Sequence, residues 1–291
     1  MSDKILITGG TGYLGSHVLA ALVENGYSVV LLKRKASSLK RISKHITAIK
    51  IYDIEDIEFK NVLYDNQISI IIHMAASYGR NGETLEDVAY ANLNFPTRLL
   101  NAALEANVQY FINTSTSLPA SVNDYSFTKN LFETCLKSKE KEINIINIIP
   151  EYFYGPGDDS WKLISMIIQK LIQKAPIIEF TDGLQQRDFI YITDVVNAFT
   201  VILSNIEKLK GYQSFSVSSG KTIRIRDMAK LCKEVCDNHE TELAFGAIPN
   251  RNNDVLFSDS DNRSLQALGW TPQVDLAAGI KLTKEGFNLV N

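Results

Sequence analysis

The chain has 291 residues, 45% hydrophobic and 22% charged, which is the length and balance of a globular protein with a large buried core. Against 33 acidic residues stand 30 basic ones, a net charge of −3, and the only compact basic run is Lys33-Arg34-Lys35, so no nucleic-acid partner is indicated. No apolar stretch approaches the roughly 20 residues that span a bilayer, and no secretory leader precedes the first strand, so a soluble cytoplasmic protein without a membrane partner is expected.

In chain order, the apolar run 4–8 reads as a buried strand and leads into Gly9-Gly10-Thr11-Gly12-Tyr13-Leu14-Gly15. Glycines 9, 12 and 15 permit positive φ and close backbone approach, and a helical apolar pattern follows over 13–25, so a pyrophosphate has a place on a helix N-terminus. Further strands are predicted at 28–32, 48–52, 68–74, 110–114 and 143–149, with helices near 84–106 and 125–139. Strands alternating with helices specify an α/β doubly wound parallel (Rossmann) sheet covered on both faces. After Gly155-Pro156-Gly157 the pattern loosens into helix 161–173, short strands near 177–180 and 188–192, and helix 193–206. The rest holds a helix near 225–237, another ending before Gly269-Trp270, and a last one near 275–287. The expected organisation is a dinucleotide-binding domain over 1–155, to which helix 193–206 returns, and a smaller α/β substrate-binding cap over 156–291 at the C-terminal edge of the sheet.

Ligands of open parallel sheets bind outside the carboxyl ends of the strands. There lie Gly9, Arg34, Asp53, Ala75-Ala76, the hydroxyl-rich Thr114-Ser115-Thr116-Ser117 and Tyr152 to Gly157, one group after each of six strands. Within the next helix Tyr125 and Lys129 stand four residues apart and share a face. A free tyrosine titrates at about 10, and a neighbouring cation brings it towards neutrality, so Tyr125 is the candidate general acid and Lys129 the group that lowers its pKa. A hydroxyl opposite, from Thr116 or its neighbours Ser115 and Ser117, would orient a ketone and stabilise the developing oxyanion. At the end of the second strand an acid would bind the ribose hydroxyls of NAD, whereas Lys33, Arg34 and Lys35 suit a 2′-phosphate. NADPH is therefore expected in preference to NADH, with a merely solvated basic loop as the alternative. Cys232 and Cys236 share a helix face, but no matching Cys or His pair exists, so core packing rather than metal binding is expected.

These motifs, in this order, resemble those of the extended short-chain dehydrogenase/reductase family acting on nucleotide-activated sugars. The likeness is carried by Thr8 to Gly15, His73-Met74-Ala75-Ala76, Asn92 ahead of Pro96-Thr97, Thr114 to Ser117, Tyr125 with Lys129, Tyr154 to Gly157, and Gln186 to Tyr191 before Asp194-Val195. Tyr78-Gly79-Arg80, Thr116 to Pro119 and Gly183 to Phe189 resemble more narrowly its bacterial branch that reduces the 4-keto group of a CDP-linked 3,6-dideoxyhexulose with NADPH. The resemblance implies catalytic Thr116, Tyr125 and Lys129, with Lys129 also bonding the nicotinamide ribose. It implies a dinucleotide site formed by Gly9, Thr11, Gly12, Tyr13, Leu14, Gly15, Arg34, Asp53, Ile54, Ala75, Ala76 and Asn92, where Asp53 and Ile54 read the adenine. It implies nucleotide-sugar contacts from Arg187 and Arg251 to the diphosphate, and from Tyr78, Arg80 and Tyr152 to the sugar. It further implies a homodimer packed through the helices near 84–106 and 125–139, and a role in deoxysugar synthesis for surface polysaccharide such as lipopolysaccharide.

Two departures stand out. The family's Asn before the Tyr-Gly-Pro turn is missing from Ile149-Pro150-Glu151-Tyr152, and the interval from Thr116 to Tyr125 is short. Dehydratases of the family carry Asp-Glu after the catalytic Thr, where this chain has Ser117-Leu118. The expected reaction is thus net reduction of a 6-deoxy or 3,6-dideoxy 4-ketohexose, with 4-epimerisation on tightly bound NAD, or a catalytically silent dinucleotide sensor, as alternatives.

Overall fold

The computed structural model describes residues 3–80, 82–250, 253–258 and 260–288. β1 (Lys4–Thr8), α1 (Tyr13–Glu24), β2 (Ser28–Lys33), β3 (Lys50–Asp53), α2 (Phe59–Asp65), β4 (Ile70–His73), α3 (Leu85–Ala89), α4 (Phe95–Glu105), β5 (Tyr110–Thr114), α5 (Asp124–Lys137) and β6 (Asn144–Pro150) alternate strand and helix. The remainder comprises β7 (Tyr152–Tyr154), α6 (Leu163–Ile172), β8 (Ile177–Phe180), β9 (Gln186–Tyr191), α7 (Ile192–Ser204), β10 (Tyr212–Val217), β11 (Thr222–Arg224), α8 (Ile225–Val235), β12 (Glu242–Phe245), α9 (Arg263–Gln266) and α10 (Leu276–Asn288).

The central sheet has seven strands in the order β10-β6-β5-β4-β1-β2-β3. Its pairings are parallel, with Ile7 opposite Leu31 on one side and Ile72 on the other, and bonds from Ile145 N to Gly211 O and Glu151 N to Val217 O carry the same direction into β10. β1 and β4 are buried along almost their whole length because helices cover both faces, which is why they read as unbroken Ile/Leu runs. Phe95, Leu99, Phe111, Phe132, Leu136 and Ile145 form the core between this sheet and α4 and α5. The doubly wound expectation is met, and β10 and α2 add to the predicted elements.

The predicted helix 84–106 is three pieces. A capping box between Thr84 and Asp87 starts α3, a π-helical turn over Tyr90–Asn94 follows, and Pro96 lies in the first turn of α4. The turn carries the fully buried Asn92 inwards, where its amide holds both backbone groups of Ser77 and the Thr128 hydroxyl of α5. The loop after β4 is thereby tied to the helix that bears Tyr125.

The chain divides into two compact units, Met1–Ile149 with Ala198–Phe215, and Pro150–Asn197 with Ser216–Asn291. In the second, β7 and β11 flank β9, β8 pairs with β12, and α6, α8 and α10 pack together. Its anchor is Trp270, fully buried, whose indole N–H donates to Asp194 O while the Asp194 carboxylate accepts from Val274 N.

Candidate active site

The glycine turn is built so tightly that no side chain fits at Gly9 or Gly15. Gly9 has φ +74°, and a Cβ there would lie 2.5 Å from Ala75 N and 2.6 Å from Met74 C, because the ends of β1 and β4 meet at that point. A Cβ on Gly15 would fall 2.7 Å from Gly9 C and 2.9 Å from Gly10 Cα. Gly12 N donates to Gly9 O at 2.9 Å, and Gly12 then caps α1 in extended geometry with no side-chain hydrogen bond and no acidic residue in the first turn. Tyr13 and Leu14 turn their side chains into the core, so their contribution to the turn is backbone N–H. A 12-residue helix whose dipole meets an open, acid-free glycine turn suits a diphosphate, and this chain thus fits a dinucleotide.

At the rim, the Lys33 ammonium forms an ion pair with Asp53, its register partner on β3. Lys35 pairs with Asp56 at 2.6 Å, and Arg34 projects from the surface. The basic run is therefore divided, with two cations matched to acids one strand away. Ile54 packs against the core beside them. The sequence reading missed Arg41, whose guanidinium lies 5.5 Å from the Tyr13 ring centre and helps burial to lower the pKa of His17. Its signal was the Lys40-Arg41 pair beyond β2.

Asn123 caps α5 through a capping box with Ser126, and the helix then presents Tyr125 and Lys129 one turn apart. Tyr125 hydrogen-bonds Thr116 and Tyr78, and its ring lies 4.7 Å from that of Tyr78 at a 31° tilt. Ser115 Oγ instead donates to Glu133 at 3.2 Å, and Ser117 is exposed, so Thr116 is the hydroxyl that faces Tyr125. Burial and the neighbouring Tyr78 push the Tyr125 phenol well above its ordinary value, opposed only by the Thr116 hydrogen bond. The expectation that Lys129 would govern this pKa is not met. Lys129 is 1% exposed, burial lowers its ammonium to about 8 against the opposing charge of Glu133, and its own charge bears on His73. His73 accepts or donates a 2.7 Å bond with Thr8 and is held neutral, first by burial and then by Lys129.

Ala75 and Ala76 follow β4, and Tyr78 and Arg80 are exposed on the loop beyond. Asn92 is spent on that loop rather than open to the glycine turn.

In the second unit, Arg187 on β9 is buried against Tyr152, its guanidinium 5.3 Å from the ring centre, donating to Asp254 at 2.7 Å and to Gln186 O at 2.9 Å. Gln185 donates to the same Asp254 carboxylate at 2.9 Å. Tyr152 stands in place of the family's Asn, and the buried Glu151 beside it accepts from Ser258 at 2.7 Å and from Ser260. The sequence reading did not single out Asp254 or Glu151 as site residues. Arg251 lies outside the described residues. Cys232 is buried with its sulfur 3.6 Å from that of Met228.

A parallel sheet, a glycine turn at a helix N-terminus and a Thr-Tyr-Lys constellation define an oxidoreductase-type enzyme built around a nicotinamide dinucleotide. Residues 5–218 match the NAD-dependent epimerase/dehydratase family, and the chain belongs to it. It is 30% identical to the CDP-abequose synthase of Salmonella typhimurium, covering 97% of each chain. It is 27% identical to the dTDP-D-glucose 4,6-dehydratase of Mus musculus over 98% of this chain and 89% of that one. The UDP-glucose 4-epimerase of Thermotoga maritima, solved with UDP-glucose, superposes with a TM-score of 0.87 at 25% identity over 99% of both chains. No helix among the described residues is long and apolar enough to cross a membrane.

Proposed function

We propose that the protein is an NADPH-dependent 4-ketoreductase for a nucleotide-linked 6-deoxy or 3,6-dideoxy 4-ketohexose, with CDP as the nucleotide. The observation that carries the reading is the Thr116–Tyr125 hydrogen bond, which sets a phenol beside a second hydroxyl, with Ser117-Leu118 rather than two carboxylates following. Tyr125 carries its proton at neutral pH, and because the raised value makes it a weaker acid, the proton passes only to an oxygen that has taken on the charge of the arriving hydride. The likeness to CDP-abequose synthase over nearly the whole chain supports the CDP-sugar.

The glycine turn, Ala75 and Ala76 would hold the dinucleotide, with Asp53 and Ile54 at the adenine and Arg34 at a 2′-phosphate. When bound, NADPH supplies the hydride that reduces C4. Tyr125 gives its hydroxyl proton to the C4 oxygen, Thr116 orients that oxygen, and Lys129 would bond the nicotinamide ribose. Arg187 and Arg251 grip the diphosphate, guanidinium forks matching phosphate oxygens. Asp254 already holds Arg187 in place, and Tyr78, Arg80 and Tyr152 shape the sugar subsite. The exposed Arg34 just beyond β2, with no acid at the end of that strand, supports NADPH over NADH. The exposed Leu85, Tyr90, Phe127 and Leu131 on α3, the π-helical turn and α5 support a homodimer through these helices.

The test is NADPH oxidation on mixing with CDP-, dTDP- and GDP-linked 4-keto-6-deoxyhexoses and the CDP-linked 3,6-dideoxy compound, with NADH in parallel. Rapid oxidation of NADPH with a CDP donor is expected. No oxidation with any donor, by protein that retains NAD through purification, would replace the reading with 4-epimerisation.

A further inference from the structure

We infer that Glu133 is a positioning residue for this site: it is the counter-charge of the buried Lys129 ammonium, and it fixes the strand end that carries Thr116. The inference rests on the catalytic roles proposed for Thr116 and Lys129. Glu133 stands one turn beyond Lys129 on α5, a spacing that places both on one helix face. Three groups from different places hold its carboxylate. Ser115 Oγ donates to Oε2 at 3.2 Å, Tyr212 OH of β10 to Oε1 at 3.0 Å, and Lys137 Nζ to Oε1 at 2.7 Å. Ser115 immediately precedes Thr116, so this network pins the end of β5 to the helix bearing Tyr125 and Lys129.

Electrostatics agree with the geometry. Burial drives the Glu133 carboxyl up, but the bonds from Lys137, Tyr212 and Ser115 and the Lys137 charge outweigh it and leave it below the usual carboxylate range. Glu133 is thus an anion throughout the neutral range. Lys129, fully buried, tends to lose its proton, and Glu133 is the charge that opposes this loss. The other groups near α5 do not supply a substitute. His73 on β4 is neutral, Asn92 on the π-helical turn is uncharged, Asp87 of α3 is committed to its capping box, and on α4 Arg98 lies over Phe59 while Glu105 pairs with Lys60.

The experiment reads the Lys129 titration directly, by NMR of protein containing isotope-labelled lysine, with the resonance assigned by its loss in Lys129→Met. In Glu133→Gln, which preserves size and hydrogen-bonding capacity, the midpoint falls from about 8 by at least about half a pH unit. The alkaline limb of kcat falls with it, while the dinucleotide Kd measured below pH 7 stays within about twofold. Glu133→Asp restores most of the shift. Lys137→Met, at an exposed position, removes a competing cation and moves the midpoint up. An unmoved midpoint in Glu133→Gln, or a downward one in Lys137→Met, overturns the inference. Because the titration needs no substrate, absence of turnover in the wild-type protein beside a shifted midpoint in Glu133→Gln refutes the reductase reading instead.

Discussion

Replacing Gly15 by alanine drives a methyl group into the backbone of the turn before α1. Its Cβ would lie 2.7 Å from Gly9 C and closer still to Gly9 O, where ordinary contact begins near 3.4 Å, so the turn must retreat by at least 0.7 Å, the difference of the two. The obstruction is backbone on every side, so no rotamer relieves it. Alanine improves helix propensity by about 1 kcal/mol over glycine, whereas overpacking of this kind costs about 1–3 kcal/mol, so the net loss of stability is about 0–2 kcal/mol. Affinity for the dinucleotide is the sensitive quantity, because the displaced N–H groups are those at the helix N-terminus. A loss of about 2 kcal/mol, roughly 30-fold in Kd, is expected for NADPH. Gly12→Ala separates the two causes, since its Cβ meets only Gly9 O at 3.3 Å: the turn stays in place, but a methyl group stands where the pyrophosphate approaches, so Kd should rise while thermal stability holds. Titration calorimetry with NADPH, paired with thermal unfolding, separates binding from stability. Unchanged affinity in both Gly15→Ala and Gly12→Ala would refute the assignment of this turn to the pyrophosphate.

Tyr125→Phe removes the proton donor while keeping the ring against Tyr78, and kcat should fall by about 10²–10⁴-fold with the NADPH Kd unchanged; near-normal turnover in stopped-flow assays removes Tyr125 from the chemistry. Arg34→Ala should raise the Kd for NADPH by about tenfold or more and leave that for NADH in place, since only the former carries a 2′-phosphate; equal effects on both would assign Arg34 to solvent. His73 provides a pH dependence of stability. Its folded-state pKa lies well below the ordinary imidazole value of about 6.5, so the stability it confers is full above 6.5 and is lost as pH falls below it, with His17 acting in the same direction. Denaturant unfolding of His73→Gln should therefore lose about 1.4 kcal/mol per pH unit of slope below the unfolded-state value, and an unaltered slope would mean that His73 is protonated within the fold.

Most of the sheet was legible because buried parallel strands announce themselves as apolar runs. β4 reads Ile-Ile-Ile-His and β6 is nearly as apolar, and their predicted ranges agree with the structure to within two residues. β10 escaped because Tyr-Gln-Ser-Phe-Ser-Val alternates apolar and polar residues at the edge of the sheet, and so lacks the signature of a central strand. The π-helical turn was hidden inside a continuous helical pattern, its only cue a polar Asn92 at a position that turned out to be fully buried.

The chemistry was legible by residue type and spacing, but the protonation states were not. Tyr125 and Lys129 are four apart in any helix, and that spacing alone favours a cation-assisted phenol. What overrides it comes from distant segments. Tyr78 arrives on a loop that Asn92 anchors, and burial under the folded chain raises the phenol and lowers the ammonium together. Lys33 and Asp53 are likewise remote in the chain and become an ion pair only because the β2–β3 register sets them side by side. Glu133 is within one turn of Lys129, yet Ser115 and Tyr212, which fix its carboxylate, come from β5's end and from β10. Local spacing therefore supplies the functional groups, and long-range burial and pairing decide which of them carry a proton.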